Sequence, residues 1–218
     1  MSTSPGKRTW IGWSFVAGCC TGIPSGVILA YLASIPFYLG LFFFLLLGLL
    51  IGAIMFRFGS GASPVHPPTL ALIGSAVVLL TWGTTLLIEY ATLPGLVARR
   101  TEMALFRRLT PEQQAEVAAK IRVHVMSRLL GRPYEGRPAE WLAGFPKYLR
   151  WIARDGTMEC PRVVDPTTFT FKLPQSRASW AFRVVLSMAL LAFAVLSQYL
   201  LLARPSKDQT SPDAIPSK

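Results

Sequence analysis

The chain has 218 residues, 52% of them apolar, and 22 Lys and Arg against 11 Asp and Glu give it a net charge of +11. That apolar fraction sits close to the soluble average, so distribution decides the class: residues 9–56, 58–88 and 184–203 contain no Asp, Glu, Lys or Arg. Runs this long without charge exclude a soluble globular chain, because a bilayer span takes about 20 apolar residues.

The expected fold is an all-α membrane protein. It has four transmembrane helices and a basic, mainly helical extramembrane region between spans three and four. The chain divides accordingly into a polar tail at 1–9, three spans within 10–94, an extramembrane region at 95–178, a fourth span at 179–203 and a disordered tail at 204–218. The tail's Ser, Pro, Asp and Lys give it too little apolar surface to fold.

Span one, residues 10–34, carries small residues four apart at Ser14, Gly18, Gly22, Gly26, Ala30 and Ser34. Such spacing lets a second helix approach closely, because no side chain holds the backbones apart. Each four-residue step drifts about 40° around the helix, which narrows the contact to Gly18, Gly22 and Gly26. Gly48 and Gly52 on span two, residues 37–56, offer a partner across a tight turn at Pro36. The contact then either closes a hairpin within the chain or joins two chains. Pro24 is expected to bend or break span one.

Lys7 and Arg8, a short apolar run and Val16-Ala17-Gly18-Cys19 resemble a bacterial lipoprotein cleavage box. The chain stays apolar beyond Cys19, unlike a cleaved signal, so Cys19 and Cys20 read as packing residues. Cys160 is far away, and no disulfide framework or paired metal-ligand spacing follows.

After a Gly-, Ser- and Pro-rich loop, span three covers 70–93 and is expected to stop at Pro94-Gly95. Thr110-Pro111-Glu112-Gln113 predicts a helix start, with Thr as N-cap and Gln three residues on. Val117, Ile121, Val125 and Leu129 recur at helical spacing, and Gly131 is a natural stop. Residues 139–153 predict two short helices meeting at Phe145-Pro146, since proline opposes helix continuation. Thr167–Leu173 alternates like a short strand, with no partner identified.

Charge inside a span is costly and usually has a reason. Glu89 and Arg183 are opposite in sign and lie near the same membrane face. They are expected either to pair, tying span three to span four, or to snorkel separately to the interface. Nothing nominates a catalytic residue. Ser25 lacks a nearby histidine to take its proton. His66 and His124 lie outside the spans, and every Asp lies in the polar region or the tail. No phosphate-binding loop or His-Glu-x-x-His pair occurs, and no metal or cofactor is expected.

Fifteen of the cations fall between Arg99 and Arg177. Arg99, Arg100, Arg107 and Arg108, mixed with Met103 and Phe106, suit anionic lipid headgroups. No nucleic-acid-binding motif is present. Leu142, Tyr148 and Arg150 also match a permissive sterol-contact pattern. Lys7 and Arg8 favour a cytoplasmic N-terminus, whereas Arg99 to Arg108 favour a cytoplasmic long loop in the plasma (inner) membrane. Four full spans forbid both, unless the first segment re-enters at Pro24. The expected role is a non-catalytic assembly, accessory or scaffold component that binds a membrane-protein partner or itself. The alternatives are a small transporter or channel using Glu89 and Arg183, and a membrane-bound lipid-modifying enzyme.

Overall fold

The structure is a computed structural model that describes residues 6–32, 37–60, 65–101, 110–154, 156–161, 168–172 and 177–203. Its helices are α1 (Gly6–Leu32), α2 (Phe37–Gly59), α3 (Pro67–Thr101), α4 (Pro111–Leu130), α5 (Pro138–Arg154) and α6 (Arg177–Tyr199). A 3-10 turn, Leu200–Ala203, continues α6, and strands β1 (Thr157–Pro161) and β2 (Thr168–Lys172) form a two-stranded sheet. Four stretches are long and apolar enough to cross a membrane: Thr9–Leu32, Leu39–Gly59, Pro67–Ala98 and Arg177–Ala203. The chain divides into two compact units, Met1–Leu86 with Val185–Lys218, and Leu87–Val184. The 204–218 tail lies outside the described residues.

The first unit packs parts of α1, α2, α3 and α6 around Leu29, Ile51, Met55, Val77, Leu191 and Val195. Glycines bring these helices together, but not in the arrangement the spacing suggested. Gly22 and Gly26 face α3, and Gly18 sits against both Val77 of α3 and Met55 of α2, instead of the Gly48-Gly52 pair. A Cβ on Gly18 would lie 2.8 Å from Val77 Cγ2, one on Gly22 would strike Thr81 Oγ1, and one on Gly26 would lie 2.9 Å from Thr84 Cβ. The Thr85 hydroxyl donates to the Gly26 carbonyl at 3.1 Å. Gly48 and Gly52 face α6, where added Cβ atoms would lie 2.7 Å from Ala194 Cβ and 2.7 Å from the Val195 carbonyl oxygen. Small-residue spacing specifies a close approach without naming the helix that makes it.

Helix α1 runs unbroken through Pro24. Proline is tolerated within membrane helices because neighbouring groups can re-satisfy the backbone it frees. A re-entrant break at Pro24 is therefore not observed. The two arginine- and lysine-bearing flanks are thus separated by three stretches long and apolar enough to cross a membrane.

The second unit begins at Leu87 within α3, and α3 continues past its expected end. Its 35 residues extend about 52 Å, well beyond a hydrocarbon core of about 30 Å. Pro94 sits inside it. An interior proline costs about 3 kcal/mol, but Leu93 and Val97 on either side are buried, each returning roughly 1.5–3 kcal/mol. Burial thus outweighs the breaker. The same holds in α5, which continues through Pro146 as one helix with Gly144, Tyr148 and Ile152 buried.

Helix α4 starts at a capping box: Gln113 N–H donates to Thr110 Oγ1 at 3.4 Å, and Thr110 N–H donates to Gln113 Oε1 at 3.0 Å. It ends at Gly131, whose φ of 70° is left-handed backbone that glycine adopts without a Cβ penalty. Strand β2 does have a partner. β1 pairs with it antiparallel, with Thr157 opposite Lys172 and Cys160 opposite Phe169. Met158, Cys160 and Phe171 turn inward to join Val125, Tyr148 and Ile152 in one core.

Cys160 is 1% exposed, and burial pushes its thiol up to about 11, with Arg128 opposing the shift. It is consequently a poor reporter of membrane sidedness. At pH 7.5 its thiolate fraction is about a hundredfold below that of an ordinary cysteine. Maleimide should not label Cys160 in folded protein and should label it after unfolding, whereas a cysteine placed at exposed Val123 should react at once. The native state holds its proton more tightly, so this thiol's contribution to stability is present below pH 9 and lost as pH rises towards 11. Rapid labelling of native Cys160 at pH 7.5 would contradict this burial.

Candidate functional site: an intramembrane ion pair beneath an aromatic cluster

Glu89 lies nine residues before Ala98, the end of its span, and Arg183 lies six residues after Arg177, the start of its span. At about 1.5 Å per residue both are about 9–14 Å from those ends. The second unit brings their side chains together: Arg183 Nη2 is 2.9 Å from Glu89 Oε1 and 3.0 Å from Oε2. Both are mostly buried, with 15% and 16% of the side chain exposed. The Trp180 indole N–H faces the same carboxylate without reaching hydrogen-bond geometry. A charge this deep is retained only with a partner, and each residue supplies the other's.

Next to Glu89, Tyr90 is 1% exposed. Its hydroxyl donates to the Trp141 carbonyl at 2.8 Å and lies 3.3 Å from Met126 Sδ. Its ring centroid is 5.1 Å from Trp141, 5.8 Å from Phe145 and 5.3 Å from Tyr148. These separations are those of favourable offset and edge contacts. Gly144 makes the fit: a Cβ there would strike the Tyr90 hydroxyl. The end of α3 is thus seated against α5 by a buried hydrogen bond, a ring cluster and one glycine.

Tyr148 stands at the junction of cluster and pair. Burial holds its phenol well above the ordinary range, the nearby Glu89 carboxylate pushes the same way, and Arg183 pushes back. Tyr148 therefore remains a neutral phenol throughout the physiological range. That burial also removes it from any sterol contact, contrary to the pattern through Leu142 and Arg150.

Both Glu89 oxygens face one guanidinium nitrogen of Arg183. Ser25 is buried. His124, outside the spans, has Nε2 3.2 Å from the Glu159 carbonyl oxygen. Among the described residues no group of three His, Cys, Asp or Glu could hold a metal ion.

The remaining sequence-predicted residues are more dispersed. Gly18, Gly22, Gly26, Gly48 and Gly52 serve helix contacts in the first unit. Arg99 and Arg100 occupy the last turn of α3, and Arg107 and Arg108 lie outside the described residues. Gly144 and Trp180 were not singled out from sequence, and Tyr148 only as part of the sterol-contact pattern. A lone glycine in a helical pattern signals a close approach as well as a break, and that was the available clue to Gly144. No family model matches this chain, and neither do the curated proteins or the solved structures.

Proposed function

We propose that this chain is a non-catalytic, multi-pass assembly or accessory component of the plasma (inner) membrane. Its long extramembrane region faces the cytoplasm and engages a membrane-protein partner. The observation that carries this reading is the closed Glu89–Arg183 pair, in which the two charges neutralise each other. A proton or ion relay needs a group free to exchange its partner, whereas a tie between helices needs one that is not. The glycine faces are spent on the chain's own bundle, so a partner would bind elsewhere. Val123 on α4 and Leu142 on α5 are exposed and are available for such a contact. The orientation follows Arg99, Arg100, Arg107 and Arg108, at and beyond the end of α3, which outnumber Lys7 and Arg8.

The test is purification of the tagged chain from native membranes in a mild detergent, with quantification of everything retained through two separations. Another membrane protein, or a second copy, should appear at a constant molar ratio. Recovery of the chain alone as a monodisperse monomer would overturn the reading.

A further inference from the structure

Separate from the ion pair, a cavity of about 540 Å³ opens beside the start of α6, lined by Ala153, Arg177, Ala178, Trp180 and Ala181. Three alanines and an indole make most of its lining apolar. Its position is set by Arg177, the first residue of a membrane-crossing stretch. Ala181 lies four residues further on, about 6 Å deeper along the helix. With Arg177 taken as the headgroup end of that stretch, the other end of the cavity reaches towards the acyl region. Trp180, at the same level, is the residue type that gathers at that boundary.

The upper rim is cationic. One Arg177 N–H donates to the Arg154 carbonyl, which fixes the guanidinium at the mouth and leaves the rest of its five donors for a ligand. Arg154 ends α5, with Arg150 one turn earlier, and both are exposed. Among the described residues no carboxylate pairs with Arg150, Arg154 or Arg177; Asp155, next to Arg154, lies outside them. Guanidinium groups match phosphate oxygens through paired N–H bonds.

We propose that this cavity is a binding site for a single anionic phospholipid. The phosphate sits on Arg177 with Arg154 alongside, and an acyl chain runs past Ala178 and Ala181 against Trp180. An apolar slot below a cationic rim distinguishes this ligand from a free anion, which would have no use for the slot. It also differs from general attraction to a charged surface, which needs no slot either.

The test is native mass spectrometry of the full-length protein in detergent, titrated with dioleoyl-phosphatidylglycerol or dioleoyl-phosphatidylcholine. The wild type should retain one phosphatidylglycerol in preference to phosphatidylcholine. Arg177→Gln should weaken that binding about fivefold, as expected for one basic residue at the membrane surface. Ala181→Phe, which fills the slot, should weaken it at least as much. Both positions are exposed, so these variants should keep the wild-type circular dichroism spectrum. Lys120→Gln on α4 removes one charge elsewhere and should bind like the wild type. Equal retention of the two lipids would overturn the proposal, as would wild-type affinity in Arg177→Gln and Ala181→Phe. Displacement of the lipid by inorganic phosphate would overturn it too, by showing that the site takes the anion alone.

Discussion

Gly22→Leu and Gly52→Leu should each prevent stable folding, while Gly12→Leu should be tolerated. All three substitutions place the same side chain on a membrane helix. They differ in what surrounds it. A Cβ at Gly22 meets the Thr81 hydroxyl, and one at Gly52 meets the Val195 carbonyl at 2.7 Å and its Cα at 3.1 Å; at Gly12 nothing lies within 4 Å. Side-chain tips can rotate away, but the backbone of α6 can yield only if the whole helix moves. The expected cost is about 3 kcal/mol or more at Gly52, the upper end for overpacking. Resistance to unfolding by sodium dodecyl sulfate in mild detergent measures it. Gly22→Leu protein as stable as Gly12→Leu would mean that the stripe on α1 serves a partner chain.

The second large effect concerns Glu89 and Arg183. Glu89→Leu alone leaves a buried guanidinium without its counter-charge and should cost about 3–5 kcal/mol. Arg183→Leu should cost a similar amount for the mirror reason. Replacing both with leucine removes the desolvation penalty along with the attraction, and such swaps are often close to neutral. The double variant should therefore be more stable than either single variant. Independent snorkelling predicts the opposite, namely two single effects that simply add. The same unfolding measurement separates these outcomes.

Local signals were legible in the sequence because their causes are local. Thr110 and Gln113 cap α4, and Gly131 ends it, through bonds that span only a few residues. The four apolar stretches stand out because a bilayer demands about 20 such residues in a row. The nearness of Glu89 and Arg183 followed from counting residues to the span ends, and their side chains do meet.

What was not legible depends on tertiary contacts. Pro94 and Pro146 read as stops, yet the burial of Leu93, Val97, Tyr148 and Ile152 carries the helices through them. Strand β1 was missed because its inward pair, Met158 and Cys160, is too short an alternation to rise above background, and its partner is supplied from residues 168–172. The Gly-xxx-Gly steps announced close helix contacts, but which helices they joined depended on the arrangement of the whole bundle.

Ion and proton flux into liposomes tests most directly whether Glu89 and Arg183 form a structural tie. The comparison is between wild-type protein and the Glu89→Leu/Arg183→Leu double variant, which is expected to fold, with empty liposomes as the baseline. Flux at that baseline in both preparations is the expected result. Flux above it in the wild type that disappears in the double variant would contradict a structural role and assign the pair to a transport path.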